Sequence, residues 1–180
     1  MSAPLETPAP DTPTCLTPSI FRDARGRFVK TWHPDLFSAH GIHMPIAEEF
    51  YSVSERDVIR GMHFQTPPHD HEKLVYCVAG KVLDVVLDLR SSSATYGRSW
   101  SWELSPDNGH IIYIPKGFGH GFLSLAHGSV MIYKTSTVHA PSHDTGVRWD
   151  SFGFAWPVAA PVISERDRQL PPLGEFKTPF

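Results

Sequence analysis

The segment GHIIYIPKGFGH, residues 109–120, is the most informative stretch of this sequence for the fold. Its apolar part, His110–Ile114, has the β-branched and aromatic composition of a short strand. Pro115 and Gly117 then favour a tight turn, because proline presets φ and glycine tolerates positive φ. The strand that follows leads His120 into the mouth of a β-barrel. The segment therefore predicts a β-structure that presents a histidine to its interior.

Short strands separated by Gly, Pro, Asn and Asp continue on both sides of this segment. In Lys81–Leu89 apolar and polar residues alternate, and the pair Val85-Val86 indicates either a strand covered on both faces or a bulge. The best helix candidate is Pro34–His40, with Gly41 just beyond its end. We therefore predict an all-β jelly-roll barrel with short flanking helices. Its strands are predicted at Arg27–Trp32, Glu48–Ser54, Val58–Phe64, Lys73–Val78, Lys81–Leu89, Trp100–Leu104, His110–Ile114, Gly121–Leu125 and Val130–Thr135.

Length and charge restrict the class of protein. A chain of 180 residues fits one domain. With 16 Lys and Arg against 19 Asp and Glu, the net charge of −3 provides no basic surface for nucleic acid. No apolar stretch approaches the roughly 20 residues of a membrane helix, and the N-terminus lacks the basic and apolar regions of a signal peptide. Two cysteines are too few for a disulfide framework, so we expect a cytoplasmic protein.

The N-terminal residues differ in composition from the rest. Prolines stand at positions 4, 8, 10, 13 and 18, too often for a helix or a β-ladder. We expect residues 1–18 to be a flexible Pro-rich leader and residues 19–180 to form the single domain.

The chain has 11 histidines, which raises the question of a metal. Residues 109–120 have the spacing of the second cupin motif. Residues 61–80 can be aligned with the first cupin motif, whose two glycines fall on Gly61 and Gly80. Metal-binding cupins carry two His and a Glu where this chain has Pro67, His69 and Lys73. An ammonium group at the carboxylate position repels a divalent cation, so we expect neither metal nor cofactor.

The segment RGMHFQ, residues 60–65, predicts a ligand-binding strand. Gly61, His63 and Gln65 lie on one face of such a strand, because side chains alternate. A polar face with His and Gln suits the inside of a barrel that binds a ligand.

Seven stretches in order make this chain resemble the dTDP-4-dehydrorhamnose 3,5-epimerase family. They are FRDARGRF at 21–28, IRGMHFQTPP at 59–68, KLV at 73–75, GKVLDVVLDLR at 80–90, IPKGFGHGF at 114–122, YKTS at 133–136 and SERD at 164–167. The resemblance implies a homodimeric jelly-roll cupin that epimerises a nucleoside-diphosphate 4-keto-6-deoxy sugar at C3, C5 or both, in deoxysugar biosynthesis. It implies an isomerase without a cofactor.

The resemblance also implies roles for catalytic residues. The 4-ketone acidifies the neighbouring C–H bonds, so a base can form an enolate and an acid on the opposite face can return the proton. The base falls on His63, oriented by Asp167, and the acid falls on Tyr133. Lys73 lies beside the enolate oxygen, where its charge replaces that of a metal.

The same resemblance implies which residues bind the substrate. Arg60 and His120 would contact diphosphate or sugar. Phe21 and Arg25 would reach into the partner subunit's site, so that the homodimer exchanges N-terminal strands. The remaining candidates are Lys30, Glu48, Phe50, Gln65 and Asp144.

Some of these positions depart from the family pattern. The family has an acidic residue at Lys30, Gln at Glu48 and Asn at Phe50, so donors and acceptors are exchanged. Thymine specificity is therefore not carried over, and guanine is a candidate partner for Glu48. Asp144 replaces Glu, while His139 and His71 replace Tyr and Gln. These changes bear on sugar selection and on whether C3, C5 or both react.

Two other functions are kept as alternatives. One is a metal-dependent cupin oxygenase or isomerase that uses His69, His71 and His120. The other is a sugar-nucleotide-binding cupin without catalytic activity.

Overall fold

The computed structural model describes residues 10–180. It is built almost entirely from strands, with two short α-helices and one 3₁₀ turn at Leu173–Glu175. The strands are β1 Thr14–Leu16, β2 Ile20–Asp23, β3 Gly26–Val29, β4 Glu48–Ser54, β5 Ile59–Gln65, β6 Lys73–Ala79, β7 Val82–Asp88, β8 Ser99–Leu104, β9 Ile111–Ile114, β10 Phe118–Ser124, β11 Ser129–Thr135 and β12 Asp144–Gly146, and the helices are α1 Pro34–Ser38 and α2 Glu165–Arg168.

Two five-stranded antiparallel sheets form the barrel. The first has the strand order β1-β9-β6-β11-β4, and the second has the order β12-β5-β10-β7-β8. A separate hairpin consists of β2 and β3. An apolar core joins the two sheets, with Val75 and Met131 from the first and Val86 and Phe122 from the second. The all-β jelly-roll prediction is confirmed.

The outer face of each sheet is also covered. Helix α1 and the chain after it place Phe37, Ile42 and Met44 on the first sheet. The C-terminal part of the chain places Trp156 and Ile163 on the second. Strands buried on both faces read as nearly continuous apolar runs, which explains the interrupted alternation in β7.

The structure decides between the two interpretations of Val85-Val86. Strand β7 pairs with β8 and β10 in unbroken register, so it carries no bulge there. The register shifts lie elsewhere, between His120 and Phe122 against β5 and between Val130 and Met131 against β6. Strand β7 is therefore a covered strand.

Each predicted strand has a counterpart, and α1 occupies most of the predicted helix Pro34–His40, with Gly41 at φ 74°. The sequence missed β1, β2 and β12, which have only three or four residues each.

The predicted leader needs a correction. Thr14–Leu16 pairs with Ile111–Tyr113, so the expected flexible segment does not extend to residue 18. The strand fits between Pro13 and Pro18, at a sheet edge where missing amide donors are tolerated. Residues 1–9 of the predicted leader lie outside the described residues.

Within residues 10–180, no helix is long and apolar enough to span a membrane.

Candidate active site

A cavity of about 380 Å³ lies between the two sheets. One wall comes from β5, β10 and β12 of the second sheet, and the other from β4, β6 and β11 of the first. Nine of the predicted site residues line it: Glu48, Phe50, Arg60, His63, Gln65, Lys73, His120, Tyr133 and Asp144.

His63 and Asp167 form a hydrogen-bonded pair at one side of this cavity. His63 Nε2 lies 2.7 Å from Asp167 Oδ1. Asp167 stands in α2, where Ser164 caps the helix by accepting from the Asp167 backbone N–H at 3.1 Å. The second carboxylate oxygen accepts from the Gly61 N–H at 3.2 Å. The pair leaves Nδ1 of a partly exposed His63 as the nitrogen that can take a proton.

The charge on Asp167 is well stabilised. Burial alone would raise the pKa of this carboxyl, but hydrogen bonds from His63, Gly61 and Ser164 outweigh it and hold the pKa below its ordinary value. A permanent carboxylate beside Nε2 fixes the imidazole tautomer and the orientation of the ring.

Tyr133 belongs to the opposite wall. Its hydroxyl lies 3.0 Å from Ser52 Oγ, and its ring stacks on Phe50 at 4.7 Å between centroids. Burial is the main cause that raises the pKa of Tyr133 far above its ordinary value, so the phenol keeps its proton. His63 and Tyr133 therefore stand on different sheets with the cavity between them.

Lys73 opens β6 and is only 8% exposed. Its Nζ donates to the His63 backbone carbonyl at 3.1 Å. Burial lowers the pKa of Lys73 to about 8, against the opposing effect of Asp144 and Asp84. The cation is therefore held in the cavity wall with little hydration, where it can act strongly on an anion.

His120 makes a second histidine–aspartate pair. Its Nε2 lies 2.7 Å from Asp84 Oδ2, and both side chains are buried. Asp84 sits on β7 and His120 on β10, where they are diagonal neighbours of the antiparallel ladder. The sequence reasoning missed Asp84, although it is an inward-facing carboxylate in the alternating run Lys81–Leu89.

The rim of the cavity carries a network of charged groups. Asp144 Oδ2 accepts from Arg166 Nη2 at 2.9 Å and lies 3.2 Å from His139 Nε2. Glu48 Oε2 accepts from the His139 backbone N–H at 2.6 Å. Arg60 is held by Ser54 Oγ, which accepts from its Nε at 3.0 Å. Arg166 and Ser52 line the cavity and were not predicted.

Three predicted binding residues lie away from this cavity in the single chain. Phe21 and Arg25 stand on the β2–β3 hairpin and the exposed Lys30 follows it. Arg25 is ion-paired with Asp23. The contact of Phe21 and Arg25 with a partner subunit stays a prediction.

Residues 10–180 contain no group of three His, Cys, Asp or Glu side chains placed to hold a metal ion. Of the three histidines in the metal-dependent alternative, His71 and His120 line the cavity and His69 does not. The His69 ring instead packs on His143, at 4.5 Å between centroids.

Comparison with known proteins identifies relatives over most of the chain. A family model described as dTDP-4-dehydrorhamnose 3,5-epimerase matches residues 7–175. Epimerases of that name from Methanothermobacter thermautotrophicus and Mycolicibacterium smegmatis are 36% and 39% identical to this chain. Each alignment spans 165 residues and covers 89% of this chain. It covers 89% of the first relative and 81% of the second.

Solved structures agree with this relationship. The Bacillus anthracis dTDP-4-dehydrorhamnose 3,5-epimerase, with TDP and PPi bound, is 34% identical with a TM-score of 0.87, covering 89% of this chain and 93% of that one. A 3'-monoepimerase from Streptomyces bikiniensis, in complex with dTDP-quinovose, is 31% identical with a TM-score of 0.86, covering 93% and 88%.

Proposed function

The chain belongs to the dTDP-4-dehydrorhamnose 3,5-epimerase family, and we propose that it is an isomerase of deoxysugar biosynthesis. Its reaction is the epimerisation of a nucleoside-diphosphate 4-keto-6-deoxy sugar at C3, C5 or both. The observation that carries the proposal is the arrangement of a histidine–aspartate pair and a protonated tyrosine on opposite sheets, with the cavity between them.

His63 is the base. The carbon–hydrogen bonds next to the 4-ketone are acidified because the carbanion is delocalised onto oxygen as an enolate. The Nδ1 atom of His63 takes the proton, and Asp167 at 2.7 Å from Nε2 stabilises the imidazolium that results.

Tyr133 is the acid. A proton returned from the side of the sugar opposite to the base inverts the configuration at carbon. Tyr133 stands on the wall facing His63, and its raised pKa keeps the proton available until the enolate draws it. Ser52 Oγ, 3.0 Å from the phenol oxygen, is a hydrogen-bond donor to the phenolate that is left.

Lys73 stabilises the enolate oxygen. A buried ammonium interacts with a developing negative charge far more strongly than a solvated one does. Its low exposure therefore supports this role. Arg60, His120 and Arg166 provide further positive charge for the diphosphate at the same cavity.

The nucleotide is bound beyond the sugar, toward Glu48, Phe50 and the β2–β3 hairpin that the partner subunit contributes. Two solved relatives hold TDP and dTDP-quinovose. In this chain Glu48 Oε2 already accepts from the His139 N–H, which leaves Oε1 for a base. We therefore expect Oε1 to be the main acceptor for a base, with Oε2 shared between the base and the His139 N–H.

The active form is a homodimer in which Phe21 and Arg25 complete the partner subunit's site. Phe21 and Phe28 are 63% and 60% exposed on the hairpin, and Tyr51 is 68% exposed on the edge strand β4 near the cavity. A second copy of the chain would cover these aromatic surfaces and close the open side of the cavity. The cytoplasmic location predicted from the sequence stays a prediction.

The experiment for the function offers thymidine, guanosine and cytidine diphosphate 4-keto-6-deoxy sugars in heavy water. Deuterium at C3, C5 or both identifies the carbons that react, and the rate with each nucleotide identifies the base. Ligand-induced stabilisation without exchange at either carbon would instead indicate a binding protein. Loss of exchange on chelator treatment, with stoichiometric bound metal, would indicate the metal-dependent alternative.

The dimer is tested by mixing two inactive variants, Arg25→Ala and His63→Ala. If Arg25 acts across a two-fold interface, half of the random dimers contain one intact site, and activity returns to about a quarter of the wild-type value. No recovery means that Arg25 acts within its own chain, and an Arg25→Ala variant that is itself active means that Arg25 has no part in the site.

A further inference from the structure

The pair formed by Asp84 and His120 has an unusual feature. Asp84 is completely buried, and its Oδ1 atom has no hydrogen-bond partner among the described residues. Its other oxygen contacts His120 Nε2 at 2.7 Å. A buried carboxylate is stable only when it is paired with positive charge or is fully hydrogen-bonded. An incompletely satisfied carboxylate in direct contact with a histidine that lines the active-site cavity therefore requires an explanation.

His120 is the group that can supply the missing charge. It lies in direct contact with Asp84, and it is only 4% exposed. Lys73 is the second cation whose charge acts on Asp84. A neutral His120 would leave most of the carboxylate charge uncompensated, because its Nε2–H offers only a dipole. An imidazolium offers a full charge, which favours the doubly protonated ring.

The charge of the ring decides what His120 presents to the cavity. Nε2 is committed to Asp84, so Nδ1 is the nitrogen that remains for a ligand. In a neutral ring with the proton on Nε2, Nδ1 is an acceptor that repels substrate oxygens. In an imidazolium, Nδ1–H is a charged donor, and hydrogen bonds from charged donors are about twice as strong as neutral ones.

We propose that Asp84 is a positioning residue that holds His120 as an imidazolium, so that Nδ1–H donates to an anionic oxygen of the bound substrate. The inference rests on the proposed function and adds a residue to it. The anionic oxygen is either the enolate oxygen or a diphosphate oxygen. The titratable groups that interact with the pair are Lys73 and Cys77 from β6, Tyr133 from β11, Cys15 from β1 and His71 from the loop before β6.

The direct test is ¹⁵N NMR of the His120 ring in the wild-type protein at neutral pH. Two protonated ring nitrogens support the proposal, and a neutral ring overturns it. This measurement needs no substrate, so it can fail while isotope exchange succeeds. Conversely, absence of isotope exchange in the wild-type protein would count against the proposed function. It would not change the charge of His120 that the NMR measurement gives.

The variant Asp84→Asn removes the charge and keeps the shape. Without the carboxylate, His120 loses its second proton more easily, so the activity of the variant should decline as the pH rises from 6 toward 8. We expect a loss of roughly 10- to 100-fold in kcat/KM at pH 7.5, the value typical of a lost charged hydrogen bond. A lower kcat with unchanged inhibition by the nucleoside diphosphate indicates the enolate oxygen, and weaker inhibition indicates the diphosphate.

Asp88→Asn is the matched control. Asp88 is also completely buried, lies on the same strand and is ion-paired with Arg90 at 2.8 Å, but its side-chain partners Arg90, Ser93 and Thr95 do not line the cavity. This variant should lose stability and keep the wild-type pH profile. If both variants change the profile equally, or Asp84→Asn leaves it unchanged, Asp84 has no positioning role.

Discussion

The two histidine–aspartate pairs of this barrel have the same heavy-atom distance and different surroundings. His63 and His120 are direct cross-strand neighbours on β5 and β10, and each lies 2.7 Å from its carboxylate. The His63 side chain is 28% exposed, whereas that of His120 is 4% exposed. Both carboxylate oxygens of Asp167 have a hydrogen-bond partner, whereas only one carboxylate oxygen of Asp84 has one among the described residues.

This difference separates two tasks. A half-exposed imidazole with a fully satisfied carboxylate can gain and lose a proton, because neither state leaves a buried charge unpaired. A buried carboxylate with one unsatisfied oxygen instead favours a lasting positive charge beside it. We therefore assign different roles to the two pairs: the His63 pair accepts a proton, and the His120 pair holds a fixed positive charge, because their environments differ.

The largest effect should come from His63 and Asp167, the pair to which we assign proton abstraction. His63→Ala removes the base, and deuterium incorporation at C3 and C5 should fall by roughly 10²- to 10⁴-fold. His127→Ala, which changes an exposed histidine paired with Glu55, is the control and should keep wild-type exchange. Retained exchange in His63→Ala would exclude His63 as the base and remove the contrast between the two pairs.

Replacement of Asp167 should reduce kcat more than replacement of Asp84. Asp167→Asn weakens both the orientation and the charge that support His63, so we expect kcat to fall more than in Asp84→Asn, by roughly 10²- to 10³-fold against roughly 10- to 100-fold. Single-turnover kinetics of the two variants measures the chemical step directly. A larger loss in Asp84→Asn would mean that charge at His120 matters more than orientation of His63.

The sequence predicts the parts of this arrangement that are local. Alternation in residues 60–65 locates strand β5, which lines the cavity, and alternation in Lys81–Leu89 locates strand β7, which carries Asp84, because side-chain direction follows directly from a period of two. Asp84 could have been found in the same way, as a carboxylate on the inward face of a largely apolar strand. The short strands β1, β2 and β12 have too few residues to show a period.

Contacts between residues far apart in the sequence could not be predicted in this way. His63 and Asp167 are 104 positions apart, and Ser52 and Tyr133 are 81 apart, so spacing alone does not join them. For His63 and Asp167 the family resemblance provided the link; for Ser52 nothing did. Contacts that depend on a second chain, such as those predicted for Phe21 and Arg25, have no signature within one chain.

The pH dependence should distinguish Lys73 from the fixed charge at His120. The pKa of Lys73 is lowered to about 8, so the ammonium and the activity should be lost as the pH rises through 8. The folded state then binds fewer protons than the unfolded state, whose lysine keeps its proton up to its ordinary pKa of 10.5, so stability should rise over the same interval. Activity profiles and urea unfolding at pH 7–10, compared with Lys73→Arg and Lys73→Met, measure both trends. An alkaline limb that is unchanged in Lys73→Arg would belong to another group.

The smallest effect should come from Ser52, on the wall that faces both histidines. Its Oγ is 3.0 Å from the Tyr133 hydroxyl, and a neutral hydrogen bond of this kind contributes about 0.5–1.5 kcal/mol. Ser52→Ala should therefore lower the rate of proton return a few-fold and leave proton abstraction by His63 unchanged. The ratio of deuterium exchange to net epimerisation separates these two steps, and it should rise in Ser52→Ala and rise much further in Tyr133→Phe. An equal loss of exchange and epimerisation in both variants would indicate that Tyr133 abstracts the proton. The roles of base and acid assigned to the two walls of the cavity would then be exchanged.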